Sequence, residues 1–393
     1  MSGAHGSKPY AITLEVGSSR ANHTGSWRDE RAVFVERMPP CNDGCPAGEN
    51  VQAWLYEAEE GEAGYERAWR KLVEENPFPA IMGRVCYHPC ETACNRAQLD
   101  EAVGIHSVER FLGDLAIERG WSFDLPGNGS AGGGGRRVLV VGGGPSGLSA
   151  AYHLTRLGHA VTIYDSGSEP GGMMRYGIPR YRLPREVLDA EVQRILDLGV
   201  ELELGRTVEN VLEEMEAGGF DAAFLAVGAH IGRRAYVPAG EAERILDAVS
   251  MLHGLEEGER PLLGRRVAVV GGGNTAMDAA RTARRLGASD AVVVYRRTRE
   301  RMPAHAFEVA EAEEEGVEMR WLETVKSFEG GELELEKMEL DESGYPQPTG
   351  EIERLAADSL VLALGQEADL ALLDGVPGIE VADGVVQVGP NMM

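Results

Sequence analysis

Five cysteines in the chain have spacings that could hold a metal centre. They are Cys41, Cys45, Cys86, Cys90 and Cys94, arranged as a C-x3-C pair and a C-x3-C-x3-C run. Thiolates on successive turns of a helix or loop can converge on one soft metal, and we interpret the pattern as an iron–sulfur site. The alternatives are structural zinc, which usually takes C-x2-C spacing, and inert buried thiols.

A glycine pattern between residues 136 and 165 predicts a dinucleotide site. The stretch reads RRVLVVGGGPSGLSAAYHLTRLGHAVTIYD, with Gly142, Gly144 and Gly147 between an apolar strand and an amphipathic helix. The glycines permit a tight turn, close approach of a pyrophosphate and close helix packing, and the helix N-terminus faces the phosphate charge. Asp165 follows the second strand, where a carboxylate can accept hydrogen bonds from a ribose hydroxyl. The alternative is a glycine-rich turn in an ordinary α/β protein.

The same pattern returns between residues 265 and 297, as RRVAVVGGGNTAMDAARTARRLGASDAVVVYRR. Its predicted cofactor-binding residues are Gly271, Gly273, Asn274, Ala276, Arg296 and Arg297. Arg296 stands where the first copy has Asp165, and guanidinium groups suit a 2′-phosphate. The two copies should therefore bind different dinucleotides, the second preferring NADPH. The alternative is that both arginines are surface residues at a strand end.

These sites need a scaffold, and the sequence predicts an α/β chain with two Rossmann-like dinucleotide-binding folds preceded by an α-helical domain that carries the cysteines. Proline punctuation and helical spacing mark the helical domain, and the glycine run before residue 136 marks a linker. The expected segments are a leader at 1–30, the helical domain at 31–126, the linker at 127–135, the first fold at 136–250 and 366–393, and the second fold at 251–365.

Composition excludes several classes of protein. The formal net charge is -26, which argues against binding to nucleic acid and to anionic membrane surfaces. No apolar stretch reaches 18 residues, and the N-terminus lacks the apolar core of a signal peptide. We therefore expect a cytoplasmic protein whose cysteines serve metal or redox chemistry rather than disulfides.

Several linked motifs resemble one family, the small (beta) subunit of NADPH-dependent glutamate synthase and its relatives, including the N-terminal half of dihydropyrimidine dehydrogenase. They are PPCNDGCPAGENVQAWL, GRVCYHPCETACNRA, VVGGGPSGLSAA, GGMMRYGIPRYRLPREV, VVGGGNTAMDAAR and VYRRTRERMPA. The resemblance implies that the helical domain binds 4Fe-4S clusters, the first fold FAD and the second NADPH. It also implies a redox partner protein, either a large synthase subunit or a ferredoxin-type acceptor.

The resemblance also assigns residues. It implies that Cys45, Cys86 and Cys90 bind one cluster and that Glu109 is its fourth ligand. The alternatives are that Cys41 replaces Glu109 as a ligand, or that Glu109 is a solvated helix residue. Cys41 and Cys94 match ligands of a second cluster, whose other cysteines are replaced here at Val35, Arg37 and Met38. Gly172 and Met173 are expected near the flavin ring.

Two further expectations concern activity. Relatives continue past Met393 into a strand and a turn that close over the flavin, so we expect a truncated FAD fold with weakened flavin binding. Hydride transfer between cofactors needs positioning rather than an acid–base pair, so we assign no catalytic residue and interpret His88 and His305 as structural. A thioredoxin-reductase-like activity is excluded because the second fold has no C-x2-C pair. A non-catalytic adaptor subunit is the alternative to an electron-transfer enzyme.

Overall fold

A computed structural model describes residues 39–124, 135–233, 237–239 and 244–389. The predicted leader, residues 35–38, nearly all of the predicted linker and residues 390–393 lie outside these ranges. From Pro40 onward the described residues belong to one compact unit. None of the helices in these ranges is long and apolar enough to cross a bilayer.

Within residues 39–124, the predicted helical domain contains six α-helices. They are α1 (Pro40–Gly44), α2 (Val51–Ala58), α3 (Tyr65–Leu72), α4 (Pro79–Val85), α5 (Pro89–Thr92) and α6 (Ile105–Glu118). Proline begins α4 and α5 because it lacks the amide hydrogen that the first helical turn leaves unpaired. Trp54, Trp69 and Leu112 are fully buried between the helices and form the centre of this core.

The first nucleotide fold is a parallel sheet with the strand order β3-β2-β1-β4. Its elements are β1 (Arg137–Val141), α7 (Pro145–Arg156), β2 (Ala160–Tyr164), α8 (Met173–Tyr176), α9 (Arg185–Leu196), β3 (Glu201–Glu203), α10 (Val211–Gly218) and β4 (Ala222–Leu225). Strands β1 and β2 are buried on both faces apart from their first residues, as their continuous apolar runs predict. A short strand, β5 (Ile231–Gly232), follows.

The second fold repeats this topology. It contains β6 (Ile245–Asp247), α11 (Ala248–Glu256), β7 (Arg266–Val270), α12 (Asn274–Arg285), β8 (Asp290–Tyr295), α13 (Ala306–Glu314), β9 (Val317–Trp321) and β13 (Ser359–Leu362), with the parallel order β6-β13-β7-β8-β9. Between β9 and β13 the chain forms an antiparallel sheet of β10 (Glu323–Glu329), β11 (Glu332–Leu340) and β12 (Pro346–Ala356). The matching order of β3-β2-β1-β4 and β9-β8-β7-β13 shows that the sequence repeat is a repeat of structure.

The segment after β13 returns to the first fold. Strand β14 (Gln366–Glu367) pairs with β5, and β15 (Val381–Ala382) forms a hairpin with β16 (Val385–Val386). Leu372 and Leu373 are buried in the hydrophobic cluster that includes β1 of the first fold. Strand β6 lies upstream of the predicted boundary at 250/251 but pairs within the second sheet.

A buried carboxylate joins the helical domain to the first nucleotide fold. Glu191 on α9 is fully buried, and its carboxylate accepts hydrogen bonds from the amides of Ala80 and Ile81 at 2.9 and 3.0 Å. Negative charge at a helix N-terminus is favourable, so Glu191 caps α4 from another domain. Burial nevertheless raises the pKa of Glu191 to about 7. The hydrophobic core is also continuous between the two domains.

Candidate cofactor sites

The first glycine turn has the shape of a phosphate cradle. Gly142 has φ 109°, and a Cβ there would lie 2.3 Å from the Ala226 carbonyl oxygen. A Cβ at Gly147 would lie 1.8 Å from the Gly142 carbonyl oxygen, so α7 packs against the turn only with glycine at this position. Gly144 caps α7 and brings no side chain to its N-terminal amides, which leaves them free for an anion. The geometry therefore fits the pyrophosphate of a dinucleotide.

Asp165 and the loop after it close one side of this turn. The Asp165 carboxylate accepts hydrogen bonds from the amides of Gly143 and Gly167, so it lies beside the cradle. Gly172 has φ 51°, and a Cβ there would approach the Gly144 Cα to 2.7 Å. Met173 begins α8 next to it. The structure thus brings all six residues predicted for the first site into one region.

The second turn is built in the same way. Gly271 has φ 151°, and a Cβ there would lie 2.2 Å from the Ala363 carbonyl oxygen at the end of β13. Ala276 is fully buried under the turn, whereas a Cβ at Gly273 would meet nothing within 4 Å. Asn274, the first residue of α12, donates its Nδ2 hydrogen to the Tyr87 hydroxyl at 2.7 Å. The cysteine-bearing loop therefore reaches the second turn.

The two arginines after β8 have no acidic partner among the described residues. Arg296 is exposed and forms no ion pair, and the Arg297 Nε is buried without a hydrogen-bond acceptor. By contrast, the guanidinium of neighbouring Arg299 lies 2.8 Å from Glu313. The guanidinium groups of Arg296 and Arg297 thus have no carboxylate neighbour in the described part of the chain. They fit the donors that a 2′-phosphate would need.

Three of the five thiols, those of Cys45, Cys86 and Cys90, lie near enough for their charges to interact. A Cβ at Gly44 in α1 would lie 3.1 Å from the Pro89 carbonyl oxygen, so the turn before Cys45 packs closely on the start of α5. Burial raises the pKa of the Cys86 and Cys90 thiols, that of Cys90 to about 12, and the charge of Cys45 raises both further. The raised pKa values keep these groups protonated without a metal, and a metal centre would bind them as thiolates.

Glu109 lies beside these thiols because α4 and α6 cross at close range. A Cβ at Gly113 would lie 2.2 Å from the Ala80 amide nitrogen, so glycine permits the approach. This crossing holds Cys86, directly after α4, near Glu109 on α6. Burial first, then Glu49, raises the pKa of Glu109 well above its usual range. A buried carboxyl near the thiols fits the predicted fourth ligand better than a solvated helix residue.

Cys41 and Cys94 have different surroundings. The Cys41 Sγ lies 3.7 Å from the Asn42 side-chain oxygen. The pKa of Cys94 is lowered, first by a hydrogen bond from the Val103 backbone. The environment of Cys94 thus differs from that of Cys45, Cys86 and Cys90, whose pKa values burial raises. The ligand assignment of all five cysteines stays a prediction.

Sequence reasoning missed the polar shell under these thiols. The Asn76 amide donates to Glu49 at 2.9 Å and to Glu109 at 2.8 Å, and the Trp54 indole donates to Glu49 at 3.2 Å. These residues come from three separate segments, and no local motif links them. Only a polar residue on the apolar face of a helix, as at Glu109 on α6, could have signalled the network.

Two histidines near the cysteines come close to a carboxylate but do not form a metal site in this arrangement. The ligand atoms of His88, Glu91 and His106 lie within 4.8 Å of one another. However, the two imidazole rings stack at 3.7 Å with an interplanar angle of 13°. Their lone pairs lie in nearly parallel planes and do not meet at one ion. His88 instead is the N-cap residue directly before α5, with left-handed backbone geometry, φ 49°.

Comparison with known proteins identifies the class. Residues 136–393 match the family model "Pyridine nucleotide-disulphide oxidoreductase", and residues 28–121 match the model for domain II of dihydropyrimidine dehydrogenase, which holds a 4Fe-4S cluster. The chain belongs to the pyridine nucleotide-disulphide oxidoreductase family. These matches confirm the predicted fold class, the oxidoreductase class and the predicted cofactors: FAD, NADPH and a 4Fe-4S cluster.

Particular relatives narrow the resemblance. The chain is 38% identical to the NADP(+)-dependent formate dehydrogenase subunit beta of Moorella thermoacetica, over 89% of this chain and 54% of that protein. It is 33% identical to the glutamate synthase [NADPH] small chain of Escherichia coli strain K12, over 83% of this chain and 74% of the relative. This likeness confirms the family predicted from the motifs. The chain spans about half the length, or less, of the first curated relatives it matches.

A solved structure shows the same fold. FprA from Mycobacterium tuberculosis in complex with NADPH matches with a TM-score of 0.54 at 19% identity, over 65% of this chain and 75% of that one. At this identity the likeness concerns the fold alone.

Proposed function

We propose that this chain is an electron-transfer module that takes electrons from NADPH and delivers them to a redox partner protein through FAD and an iron–sulfur cluster. The observation that carries the proposal is the presence, in one compact unit, of two glycine cradles of opposite charge character and three neighbouring thiols whose charges interact. The names of the relatives, which are subunits of larger oxidoreductases, support a partner protein.

The residues would divide the work by position. Bound FAD would supply acceptance of a hydride from NADPH and release of single electrons, and a bound cluster would supply one-electron transfer. Arg296 and Arg297 would bind the 2′-phosphate, and the α12 N-terminus would bind the pyrophosphate. Asp165 would orient the FAD ribose, and Gly172 would keep side chains away from the Gly144 turn. Cys45, Cys86, Cys90 and Glu109 would hold the cluster. No side chain is required to transfer a proton in this scheme.

Nucleotide preference tests the dinucleotide part. Removing charge-assisted hydrogen bonds costs about 1.5–3 kcal/mol each, or roughly 10- to 150-fold in affinity. We expect the double variant Arg296→Ala/Arg297→Ala to lose at least about tenfold in kcat/KM for NADPH, with ferricyanide as acceptor, and to change little with NADH.

Arg299→Ala is the matched control, because its guanidinium already pairs with Glu313. It should keep the preference for NADPH. Equal use of NADPH and NADH by the wild type would refute the assignment of the second cradle. A protein that holds a cluster but oxidises neither nucleotide would support the adaptor alternative instead.

Metal content tests the cluster part. Anaerobic reconstitution of Cys86→Ser and Cys90→Ser should leave little iron or labile sulfide, whereas Cys94→Ser should keep both. Comparison of Glu109→Ala with Cys41→Ser decides the fourth ligand. Loss of iron in Cys41→Ser but not in Glu109→Ala would overturn our assignment of Glu109. Zinc without labile sulfide would overturn the cluster itself.

A further inference from the structure

Tyr87 connects the predicted cluster loop to the second dinucleotide cradle. It lies between Cys86 and Cys90, yet its hydroxyl accepts a hydrogen bond from Asn274 Nδ2 at 2.7 Å. Asn274 is the first residue of α12, at the mouth of the turn formed by Gly271 and Gly273. A single side chain therefore spans two sites that stand far apart in the sequence.

The position of Tyr87 is held from its other side by His305. The Tyr87 and His305 rings stack at 3.7 Å with an interplanar angle of 10°. The His305 amide donates to the Asn274 side-chain oxygen at 3.0 Å. The Asn274 amide group thus has a fixed partner at each end, Tyr87 for its nitrogen and His305 for its oxygen. This fixes its orientation beside the free N-terminal amides of α12.

We propose that Tyr87 is a positioning residue for the nicotinamide dinucleotide: it holds Asn274 in place, so the loop between Cys86 and Cys90 contributes to NADPH binding. The proposal rests on the proposed function of the second cradle. An amide held in one rotamer loses no conformational freedom when the ligand arrives, which lowers the cost of binding. Because coupling is reciprocal, NADPH binding should in turn restrict the loop that carries Cys86.

Tyr87→Phe tests the proposal and keeps the ring that stacks on His305. The Tyr87 hydroxyl also interacts with the Arg182 guanidinium. Loss of its neutral hydrogen bond to Asn274, about 1–1.5 kcal/mol, predicts a Kd for NADP+ that is weaker by up to roughly 5- to 13-fold, measured by calorimetry on the full chain as purified. In turnover with NADPH, the change should fall mainly on KM and less on kcat. Tyr56→Phe is the control, since Tyr56 is 70% exposed in the same domain.

A double-mutant cycle with Asn274→Ala separates positioning from general destabilisation. If Tyr87 acts through Asn274, the double variant should bind NADP+ no more weakly than Asn274→Ala alone. Wild-type binding of NADP+ with an unchanged Kd in Tyr87→Phe, or additive effects in the cycle, would overturn the role of Tyr87 and leave the proposed function intact. A wild type that binds no NADP+ would overturn both.

Discussion

Substitution of Arg182 tests whether buried ion pairs hold the two nucleotide folds together. Arg182 lies in the loop before α9, and its guanidinium contacts two acids of the second fold: Asp278, at 2.7 Å, and Glu308. The exposed side-chain fractions are 10% for Arg182, 5% for Asp278 and 0% for Glu308. In Arg182→Met, two buried carboxylates lose this cation, although Arg281 stays 3.8 Å from Glu308.

The expected magnitude follows from burial. Removing one partner of a buried ion pair costs about 3–5 kcal/mol. For a chain of 393 residues each kcal/mol lowers the melting temperature by about 1 °C, so Arg182→Met should melt about 4–6 °C below the wild type at pH 8. Arg180→Met is the control, because Arg180 is 65% exposed in its pair with Glu256. It should change the free energy of unfolding by less than about 1 kcal/mol.

The raised pKa values of the two acids determine how the stability of the protein changes with pH. Burial raises the pKa of Asp278 from 3.8 to about 6 and that of Glu308 from 4.5 to about 7. A raised folded-state pKa means that the contribution of these acids to stability is greatest below about pH 4 and falls as pH rises to about 7. Loss of Arg182 should steepen this fall, because charged acids then lack their partner.

Calorimetric melting at pH 8 and pH 5.5 therefore decides the matter. The difference between Arg182→Met and the wild type should shrink at pH 5.5, where both acids are largely protonated. The triple variant Arg182→Met/Asp278→Asn/Glu308→Gln should recover most of the loss at pH 8. A difference that is the same at both pH values, or one no larger than that of Arg180→Met, would refute the electrostatic argument.

Two other predictions concern the docking of α4. Gly113→Ala should destabilise the helical domain by about 1–3 kcal/mol through overpacking against Ala80. It should also reduce the iron retained after reconstitution. An unchanged iron content and melting temperature would show that α4 and α6 can separate at no cost. The raised pKa of Glu191 should lower the free energy of unfolding of the wild type by as much as about 3 kcal/mol between about pH 4.5 and 7. Glu191→Gln should remove most of this fall. Parallel melting curves for Glu191→Gln and the wild type over that range would exclude Glu191 as the source.

Local requirements of the backbone and of side-chain charge allow much of the fold to be predicted from the sequence alone. Each turn requires a positive φ at its first glycine and close packing of the following helix against the strand. Gly142 and Gly271 therefore predict the two strand–turn–helix units. The exchange of Asp165 for Arg296 at one position of the repeat predicted two different dinucleotides. The strands were equally readable, because a buried parallel strand requires an apolar run over its whole length.

Contacts between distant segments could not be read in this way. In the sequence, Glu191 has the pattern of an exposed charge on an amphipathic helix, and Tyr87 has no feature that indicates a function. Their roles depend on backbone amides at Ala80 and Ile81 and on an amide side chain at Asn274, which other segments supply. Periodicity reports which face of an element is buried but not which element covers it. The cofactor cradles thus follow from local backbone requirements, whereas the links between helical domain and nucleotide folds exist only once tertiary packing has placed buried polar groups beside partners far away in the chain.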